Sequence, residues 1–556
     1  MLCLNSACRF KGKNPLPIVA VDEPLYRRVP CFVIATVDKF ASLPWTGASG
    51  ALLGRADRFD AAGFYGPWQP DVGQKLPKPL APPDLIIQDE LHLISGPLGT
   101  MAGLYETAID ALCTVNRDGH QIRPKVVAST ATVRRAKDQI QALFTRDGVE
   151  VFPPPGPDRR TSFFAKTVPL SERPGRQYLG VAAQGRSLKV VLLRTYLALL
   201  GAAQRHWQEA GGDKNPTNPA DPYMTLVGYF NSLRELGGSR RIVEDEVASR
   251  VAGYGDRKRV GETQGSFADR QIARDVCELT SRESTDKVSE TKTRLAIGFS
   301  EKAKAKDRLD VALATNMISV GLDITRLGLM VVLGQPKATA EYIQATSRVG
   351  RDEGKPGLVV TLLNIHRPRD RSHYERFEAF HASFYRAVEA TSVTPFAPRA
   401  LDRAMPALVV ALARHLRPAL TPARGALGMV AERSNMAGLP EILSQRARRH
   451  RTLTPDEEER INANLQMRVK DLLDSWWKVA KKQQEFGARL VYQRYEQSEG
   501  KALLRMPLEP ADPDLGQDAR RFKAPRSLRD VEPSVNLFVQ RLDGTAVEMP
   551  SEGDAS

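Results

Sequence analysis

The sequence predicts an α/β protein in which two lobes with parallel sheets are followed by a mostly helical C-terminal region. Through residues 1–365, short apolar runs are each followed by a polar turn or a helix. This alternation is typical of parallel sheets covered by helices. After about Asp370 the apolar residues instead follow helical spacing, as in the stripe from Ile461 to Val479.

Proline-rich breaks and changes of pattern predict the domain boundaries. Residues 1–165 form the first lobe, whose sheet we expect to be incomplete, and residues 166–370 form the second. Residues 371–505 form a helical accessory region, and residues 506–556 form a poorly structured tail. The proline-rich run Phe152–Pro157 ends the first lobe, because consecutive prolines fit neither a helix nor a central strand.

Apolar runs predict the strands in order. Those of the first lobe are Pro30–Thr36, Asp84–Gln88 and Pro124–Ala128, with a helix expected at Met101–Val115. A long helix near Ser187 opens the second lobe. The strands predicted for that lobe are Met224–Phe230, Val311–Thr315, Leu329–Leu333 and Leu358–Leu363.

The charge balance favours a polyanionic partner. The 556 residues include 80 Lys and Arg against 65 Asp and Glu, a net charge of +15. A generally basic protein without such a partner is the alternative, since charge governs association rather than fold. No run of residues approaches the ~20 apolar residues of a membrane span, so we expect no membrane partner.

The five cysteines predict a reducing compartment, the cytoplasm, because they are too few and too scattered for a disulfide scaffold. Whether Cys3 and Cys8 bind zinc is left undecided by the sequence. A zinc site usually needs two close pairs of ligands, and the other cysteines are unpaired in sequence.

Two adjacent carboxylates and a histidine follow the second predicted strand. Asp89, Glu90 and His92 would lie at the carboxyl end of a parallel strand, the edge where open α/β sheets place ligands. Asp89 can hold the Mg²⁺ of a nucleoside triphosphate through its waters, and Glu90 can orient or deprotonate the attacking water. His92 can report the nucleotide state across a cleft between lobes. A solvated acidic strand end is the alternative if the motif is taken alone.

Small hydroxyl residues follow the next strand. Thr130 and Thr132 can bridge the Mg²⁺ site to the second lobe by hydrogen bonds, whereas a helix N-cap is the simpler alternative.

The second lobe carries a complementary set of residues. Gly321 permits a close backbone approach, and Asp323 can receive a ribose hydroxyl or pair with an arginine. Gln344, Arg348 and Arg351 are predicted to lie on one helix. The two arginines are three residues apart, so they share a face and can stabilise phosphoryl transfer at one phosphate cluster. A solvated basic helix is the alternative.

Weaker signals predict contacts with nucleic acid. Thr36 and Lys39 follow the first predicted strand and can touch a nucleic-acid backbone, although a turn-and-cap role is nearly as good. Asn231 ends a strand of the second lobe and can touch phosphate, with ordinary core as its alternative. The basic run that can bind DNA, or form a solvated face, contains Arg446, Arg448 and Arg449.

In this order the motifs resemble those of superfamily 2 helicases. The DExH-type box is Asp89–His92, the Ser/Thr-Ala-Thr motif is Ser129–Thr132, the Gly-x-Asp motif is Gly321–Asp323, and the Gln…Arg…Arg motif is Gln344–Arg351. More narrowly, the chain is similar to the helicase subunit of the DISARM anti-phage system, the DrmA type. The stretches that carry this similarity are Thr36–Phe40, Gln88–Gly99, Ser347–Arg351, Ser392–Phe396 and Ala524–Glu532.

The resemblance implies two RecA-like lobes, ATP and Mg²⁺ as cofactors, DNA as the substrate and other defence-system subunits as partners. One departure is serious, because such helicases have a phosphate-binding Gly-x-x-x-x-Gly-Lys-Ser/Thr loop. Neither Gly-Lys-Ser nor Gly-Lys-Thr occurs in the sequence. We therefore expect a fragment, from a split gene, a truncated reading frame or a decayed copy, that needs an N-terminal helicase half to hydrolyse ATP. A non-catalytic nucleic-acid-binding or scaffold protein and an RNA helicase remain the alternatives.

Overall fold

The structure is a computed structural model that describes most of the chain. The described residues are 3, 5–130, 136–154, 161, 163–164, 166–258, 260–273, 276–280, 282–299, 307–315, 323–384, 388–389, 392–450, 454–494 and 500–528.

The described α-helices are, in chain order, α1 (Asp22–Arg28), α2 (Gly96–Cys113), α3 (Ala136–Phe144), α4 (Leu188–Glu209), α5 (Leu233–Arg241), α6 (Ala248–Val251), α7 (Thr285–Ala296), α8 (Thr339–Thr346), α9 (Pro368–Glu375), α10 (Phe377–Ala382), α11 (Pro398–Leu416), α12 (Met429–Glu432), α13 (Leu439–Arg448) and α14 (Pro455–Glu485). The described strands are β1 (Arg58–Asp60), β2 (Gly63–Tyr65), β3 (Gln74–Lys75), β4 (Leu85–Gln88), β5 (Val115–Arg117), β6 (His120–Ile122), β7 (Lys125–Ala128), β8 (Gln177–Val181), β9 (Leu226–Phe230), β10 (Cys277–Leu279), β11 (Val311–Ala314), β12 (Leu329–Leu333), β13 (Leu358–Leu362), β14 (Leu490–Val491) and β15 (Lys501–Ala502).

The chain forms two compact units. The first comprises residues 1–150 together with residues 391–556, and the second comprises residues 151–390. The helices predicted for a separate accessory region therefore belong, from residue 391 onward, to the same unit as the first 150 residues. The second unit is an insertion into the first along the chain.

The second unit is built on a six-stranded sheet in the order β10-β11-β9-β12-β13-β8, and every described pairing in it is parallel. Successive side chains of a strand point to opposite faces. Leu226 and Phe230 of β9 accordingly join one apolar cluster, while Val227 and Tyr229 join another. Because both faces are covered, β9, β11 and β12 are buried throughout. The predicted α/β class with a parallel sheet is confirmed, and β8 and β10 are strands that the sequence patterns missed.

The first unit has one large apolar core that joins its two stretches of chain. Leu104 and Tyr105 of α2 share this core with Leu408 of α11, Trp476 of α14 and Phe522, all fully buried. The helix α14 begins as predicted, because Thr454 and Glu457 form a capping box at its N-terminus.

The parallel pair β4–β7 is covered on one face only, among the described residues. Ile86 and Val126 pack against the apolar clusters of the unit. On the other face, Leu85, Ile87 and Val127 are 47%, 56% and 44% exposed. An apolar sheet face of this kind is expected where further elements are meant to pack.

Two predictions about the first unit are wrong. Residues 30–36 form no strand, and Phe32 and Ile34 are 68% and 86% exposed. An apolar run becomes a strand only beside a partner, and no described strand pairs with this one. Of residues 506–556, predicted to be poorly structured, residues 506–528 are packed, since Leu515, Phe522 and Leu528 lie in the core, and the rest lie outside the described residues. Their order comes from contacts with distant residues, such as the hydrogen bond from the Ser527 hydroxyl to Asp38 at 2.8 Å.

Candidate functional site

The candidate site of the first unit lies where β4 and β7 end. Gln88, the last residue of β4, pairs with Ala128, the last residue of β7, in parallel register. The segments that follow both strands therefore emerge at the same edge of the pair. The backbone holds them together, since the Ser129 N–H donates to Gln88 O at 3.0 Å and the Leu91 N–H donates to Ser129 O at 2.8 Å.

Asp89 is fixed by donors from both segments. Its Oδ1 accepts hydrogen bonds from the Ser129 hydroxyl and, at 3.0 Å, from the Glu90 N–H. Ser129 is the first residue of the Ser/Thr-Ala-Thr motif, and its hydroxyl orients Asp89. No described residue binds the second carboxylate oxygen of Asp89, so that oxygen is open to solvent or a ligand.

Glu90 and Thr130 meet at His92. The His92 Nδ1 lies 3.5 Å from Glu90 Oε2 and 3.2 Å from Thr130 Oγ1. The His92 side chain is 7% exposed, whereas that of Glu90 is 45% exposed. Glu90 itself has left-handed backbone angles, φ 50° and ψ 48°. This conformation is uncommon for a residue with a side chain and is found disproportionately at functional sites.

A glutamine that the sequence patterns missed supports this turn from α3. The amide nitrogen of Gln139 donates to the carbonyl oxygens of Leu91 and Ile94, each at 3.1 Å. These bonds tie α3 to the short turn Leu91–Leu93 and to Ile94, the residue that follows it.

The residues that enter the first unit after the insertion pack on the start of α2. Ser392 O accepts a bond from the Gly96 N–H at 3.1 Å, and the Thr394 N–H donates to the Thr100 hydroxyl at 3.1 Å. A Cβ on Gly99 would lie 2.7 Å from Ile94 O and 3.0 Å from a Val393 methyl carbon. Glycine is therefore required there, so that the segment beginning at Ser392 can lie against α2, the helix that follows Asp89–His92, which we call the acidic turn.

The carboxylate end of β4 suits magnesium. Mg²⁺ at nucleotide sites keeps several waters and takes one or two carboxylates together with phosphate oxygens. Asp89 offers one open carboxylate oxygen at a strand end, which fits that pattern. Among the residues that the structure describes, no group of three or more His, Cys, Asp or Glu is placed to hold a metal by itself.

In the second unit, Arg351 meets Asp323. The Arg351 guanidinium forms an ion pair with the Asp323 carboxylate, and its Nε donates to Ser347 O at 3.2 Å. The Asp323 side chain is largely exposed and that of Arg351 is partly exposed, so both remain accessible. Pairing with an arginine is one of the two roles predicted for Asp323.

The prediction that one helix carries Gln344, Arg348 and Arg351 is wrong for the two arginines. The helix α8 ends at Thr346, and only Gln344, which is buried, lies on it. The chain turns because Gly350 has φ +66° and its Cα is so close to Gly357 that a Cβ would lie 2.3 Å from Gly357 N. This glycine pair, and not helical spacing, brings Arg351 to Asp323.

A distant carboxylate caps α8. Ala338, the residue before the helix, makes no side-chain cap. Instead, Glu389 accepts bonds from the Thr339 N–H at 2.8 and 3.0 Å and from the Thr339 hydroxyl at 2.8 Å. An acidic group at a helix N-terminus satisfies free N–H groups and complements the helix dipole.

Two of the other residues predicted to contact nucleic acid, Lys39 and Asn231, already have partners within the protein. Lys39 pairs with Asp22, and Thr36 is exposed at the start of the turn Val37–Ser42. The amide nitrogen of Asn231 donates to the carbonyl oxygens of Leu333 and Gly334, at 3.0 and 2.9 Å. Thr132 and Gly321, which are predicted for the nucleotide site, lie outside the described residues.

Arg446 is buried, so its predicted contact with nucleic acid is wrong. The guanidinium donates to Leu143 O and, at 3.0 Å, to Phe144 O, and it lies 3.5 Å from Asp110. Burial lowers the pKa of Arg446 to about 10, although Asp110 and Glu106 oppose that shift. Arg448 and Arg449, in contrast, are exposed. The basic run is thus divided between a core ion pair and the surface.

We expect Arg446→Ala to lower the free energy of unfolding of the first unit by about 3–5 kcal/mol, the usual cost of removing one partner of a buried ion pair. Arg449→Ala, at an exposed position, is the control and should change it by less than about 0.5 kcal/mol. Urea unfolding followed by tryptophan fluorescence measures both. Equal stability of the two variants would contradict the structural role of Arg446.

The described site residues thus form two groups, each within its own unit. Asp89, Glu90, His92 and Thr130 come together in the first unit, and Asp323 and Arg351 come together in the second. That the two groups face one another across a cleft stays a prediction.

Comparison with known proteins agrees with the motifs. Residues 283–353 match the helicase conserved C-terminal domain. The DISARM protein DrmA of Bacillus paralicheniformis is 45% identical over 429 residues, which cover 76% of this chain and 37% of DrmA. The resemblance predicted from the sequence is confirmed, and the chain spans little more than a third of the length of this relative.

Solved helicase structures are also similar, at low sequence identity. The DUF1998 helicase MrfA bound to DNA gives a TM-score of 0.41 at 14% identity, covering 68% of this chain and 40% of MrfA. The Mycobacterium smegmatis helicase Lhr bound to ssDNA and AMP-PNP gives a TM-score of 0.42 at 14% identity, covering 77% of this chain and 40% of Lhr. In the described part of the chain, no helix has the length and apolar character needed to cross a membrane.

Proposed function

We propose that this chain, which resembles superfamily 2 helicases and is similar in sequence to the DISARM protein DrmA, is the helicase component of a DISARM-type defence system. In this proposal it acts on DNA in the cytoplasm and couples ATP hydrolysis to movement along the strand. The remaining subunits of such a system would be its partners.

The acidic turn after β4 is the observation that carries the proposal. It places two carboxylates, Asp89 and Glu90, beside His92 and Thr130 at the carboxyl edge of a parallel strand pair. Phosphoryl transfer needs positioning and charge stabilisation more than covalent chemistry. A turn that holds these four groups supplies positioning.

The residues would divide the work as follows. When bound, Mg²⁺ with ATP neutralises charge on the phosphates, and Asp89 would hold it through water. Glu90 would orient and deprotonate the attacking water, since 45% of its side chain is exposed and accessible to water. Arg351 would stabilise the charge that develops on the transferred phosphoryl group. To do so, its guanidinium would exchange the ion pair with Asp323 for contacts with the phosphate.

In this proposal the phosphate-binding loop comes from residues outside this sequence, because Gly-Lys-Ser and Gly-Lys-Thr are absent from it. The exposed apolar face of β4–β7, formed by Leu85, Ile87 and Val127, supports a partner segment that adds strands or helices there. We propose that an N-terminal helicase half, fused or separate, fills this role.

We expect the 556-residue chain alone to bind DNA and to hydrolyse little ATP. Its net charge of +15 favours phosphate neutralisation, so affinity should fall steeply as salt rises. Fluorescence anisotropy with DNA and RNA oligonucleotides over a salt series measures binding, and phosphate release measures turnover. Robust turnover by the lone chain would contradict the need for an added loop.

The same assay separates the proposal from its alternatives. Binding that persists with no turnover, even after a segment with the phosphate loop is added, would favour a non-catalytic scaffold. Much tighter binding and stronger stimulation by RNA would favour an RNA helicase.

A further inference from the structure

A basic cavity lies in the first unit, and no residue of the acidic turn lines it. It measures about 250 Å³ and is bordered by α11, by α14 and by the short turn Asp518–Arg521. We call it the C-terminal basic pocket and define it by four cationic side chains, Arg468, Arg520, Arg521 and Lys523. Asp402 is the one carboxylate among its lining residues, so the lining carries an excess of three positive charges.

The floor of the pocket is apolar. Leu401 and Met405 of α11 and Leu472 of α14 line it, and all three are buried. Cationic groups around an apolar floor suit a ligand that combines anionic groups with an apolar or aromatic part.

The backbone beneath the cationic side chains is fixed. Ala519 and Phe522 point into the core, which leaves Arg520, Arg521 and Lys523 on the outer side. The Ser475 hydroxyl donates to Asp518 at 2.8 Å. The Arg505 N–H donates to Phe522 O at 3.1 Å, and the Ala524 N–H donates to Arg505 O at 2.9 Å. The backbone positions of the residues that carry the charges are therefore set before any ligand arrives.

Two of the four cationic groups have no partner within the described chain. Arg468 forms an ion pair with Asp402, and Arg521 donates to the Ser475 hydroxyl at 2.9 Å. The Arg520 guanidinium and the Lys523 ammonium are exposed, and no described carboxylate pairs with either. Both charges can bind an anion without breaking a bond inside the protein.

We propose that the C-terminal basic pocket binds the phosphodiester backbone of a nucleic-acid strand. This inference rests on the proposed function and names one site at which the strand is held. Three arginines favour phosphate, because the guanidinium matches phosphate oxygens with two parallel donors. The volume lies below the ~300 Å³ at which pockets for whole small ligands begin, so a strand passing over the pocket fits better than an enclosed nucleotide.

The test compares two double variants of the full chain that remove equal charge. Arg520→Ala with Lys523→Ala removes the two cationic groups of the pocket that pair with no described carboxylate, and Lys470→Ala with Lys478→Ala removes two exposed lysines of α14 that do not line it. Anisotropy with a single-stranded oligonucleotide is measured over a salt series. The pocket variant should bind roughly tenfold more weakly and lower the slope of log affinity against log salt by about 1.4, the value for two lost contacts. The control variant, Lys470→Ala with Lys478→Ala, should change the affinity and the salt slope much less.

The outcomes distinguish this inference from the proposed function. If the wild-type chain binds and both double variants lose affinity equally, only net charge matters and the pocket assignment is wrong, while the proposed function stands. If the wild-type chain does not bind any oligonucleotide, the proposed function itself fails and the pocket assignment fails with it.

Two further experiments test which ligand the pocket binds and whether a removed negative charge strengthens that binding. Adenosine monophosphate and inorganic phosphate are added as competitors, and displacement of the oligonucleotide by either at low millimolar concentration would assign the pocket to a free phosphate compound instead. Asp402→Asn removes the carboxylate that pairs with Arg468, so it should strengthen binding of the strand. Weaker binding by this variant would count against the proposal.

Discussion

Glu90→Gln is expected to lower nucleic-acid-stimulated ATP hydrolysis by about 10²- to 10⁴-fold, the range that general-base catalysis contributes. The assay uses the chain joined to, or mixed with, a helicase segment that supplies the phosphate-binding loop. Glutamine keeps the shape of Glu90 and removes its charge, so the turn after β4 should fold as before. Nucleotide binding should persist, because Asp89 and its bonds to Ser129 and the Glu90 N–H are unchanged.

Glu150→Gln is the matched control, since this exposed glutamate lies in the same unit outside the acidic turn. It should leave turnover unchanged. Turnover that is indifferent to Glu90→Gln would remove the acidic turn from the chemistry altogether, whatever the family resemblance.

Arg351→Ala should reduce kcat by about 10³-fold or more in the same assembly, as is typical for an arginine that stabilises transferring phosphoryl charge. KM for ATP should change far less, because the interaction strengthens in the transition state. The structure keeps Arg351 partly exposed and paired with Asp323, so a ligand can take over the guanidinium from that carboxylate.

Arg173→Ala is the control for this prediction, because Arg173 is also exposed and also pairs with a carboxylate, Glu353, in the second unit. Arg173→Ala should leave both kcat and KM for ATP unchanged. Arg351→Lys should recover only part of the activity, since lysine keeps the charge without the two-pronged geometry. A loss confined to KM would mean that Arg351 binds nucleotide without stabilising the transition state.

The sequence predicts best where a single local rule decides the structure. Leu329–Leu333 is a strand over the predicted residues, because a parallel strand buried on both faces must be apolar throughout. Thr454 and Glu457 cap α14 as predicted, because both partners lie within one helical turn. Asp89, Glu90, His92 and Thr130 come together because they follow adjacent parallel strands.

The sequence predicts poorly where a distant residue decides. Arg446 looks like its neighbours in the basic run, and its burial follows from Asp110, which is 336 residues away. The cap on α8 comes from Glu389, fifty residues beyond Thr339. Residues 30–36 have the composition of a strand, but composition cannot provide the neighbouring strand that would complete its hydrogen bonds. The glycine contact between Gly350 and Gly357 replaced the expected helix with a turn.

The discontinuous first unit has a consequence for how related genes are judged. Every motif of the candidate site lies before residue 390, yet the core that supports α2 includes Leu408, Trp476 and Phe522. A premature stop codon near residue 390 would leave a reading frame that still carries the whole set of motifs. Its product would lack the apolar partners of the helix that follows Asp89 and Glu90, and the acidic turn would lose its support. Among such genes, an intact motif set is therefore no measure of an intact enzyme.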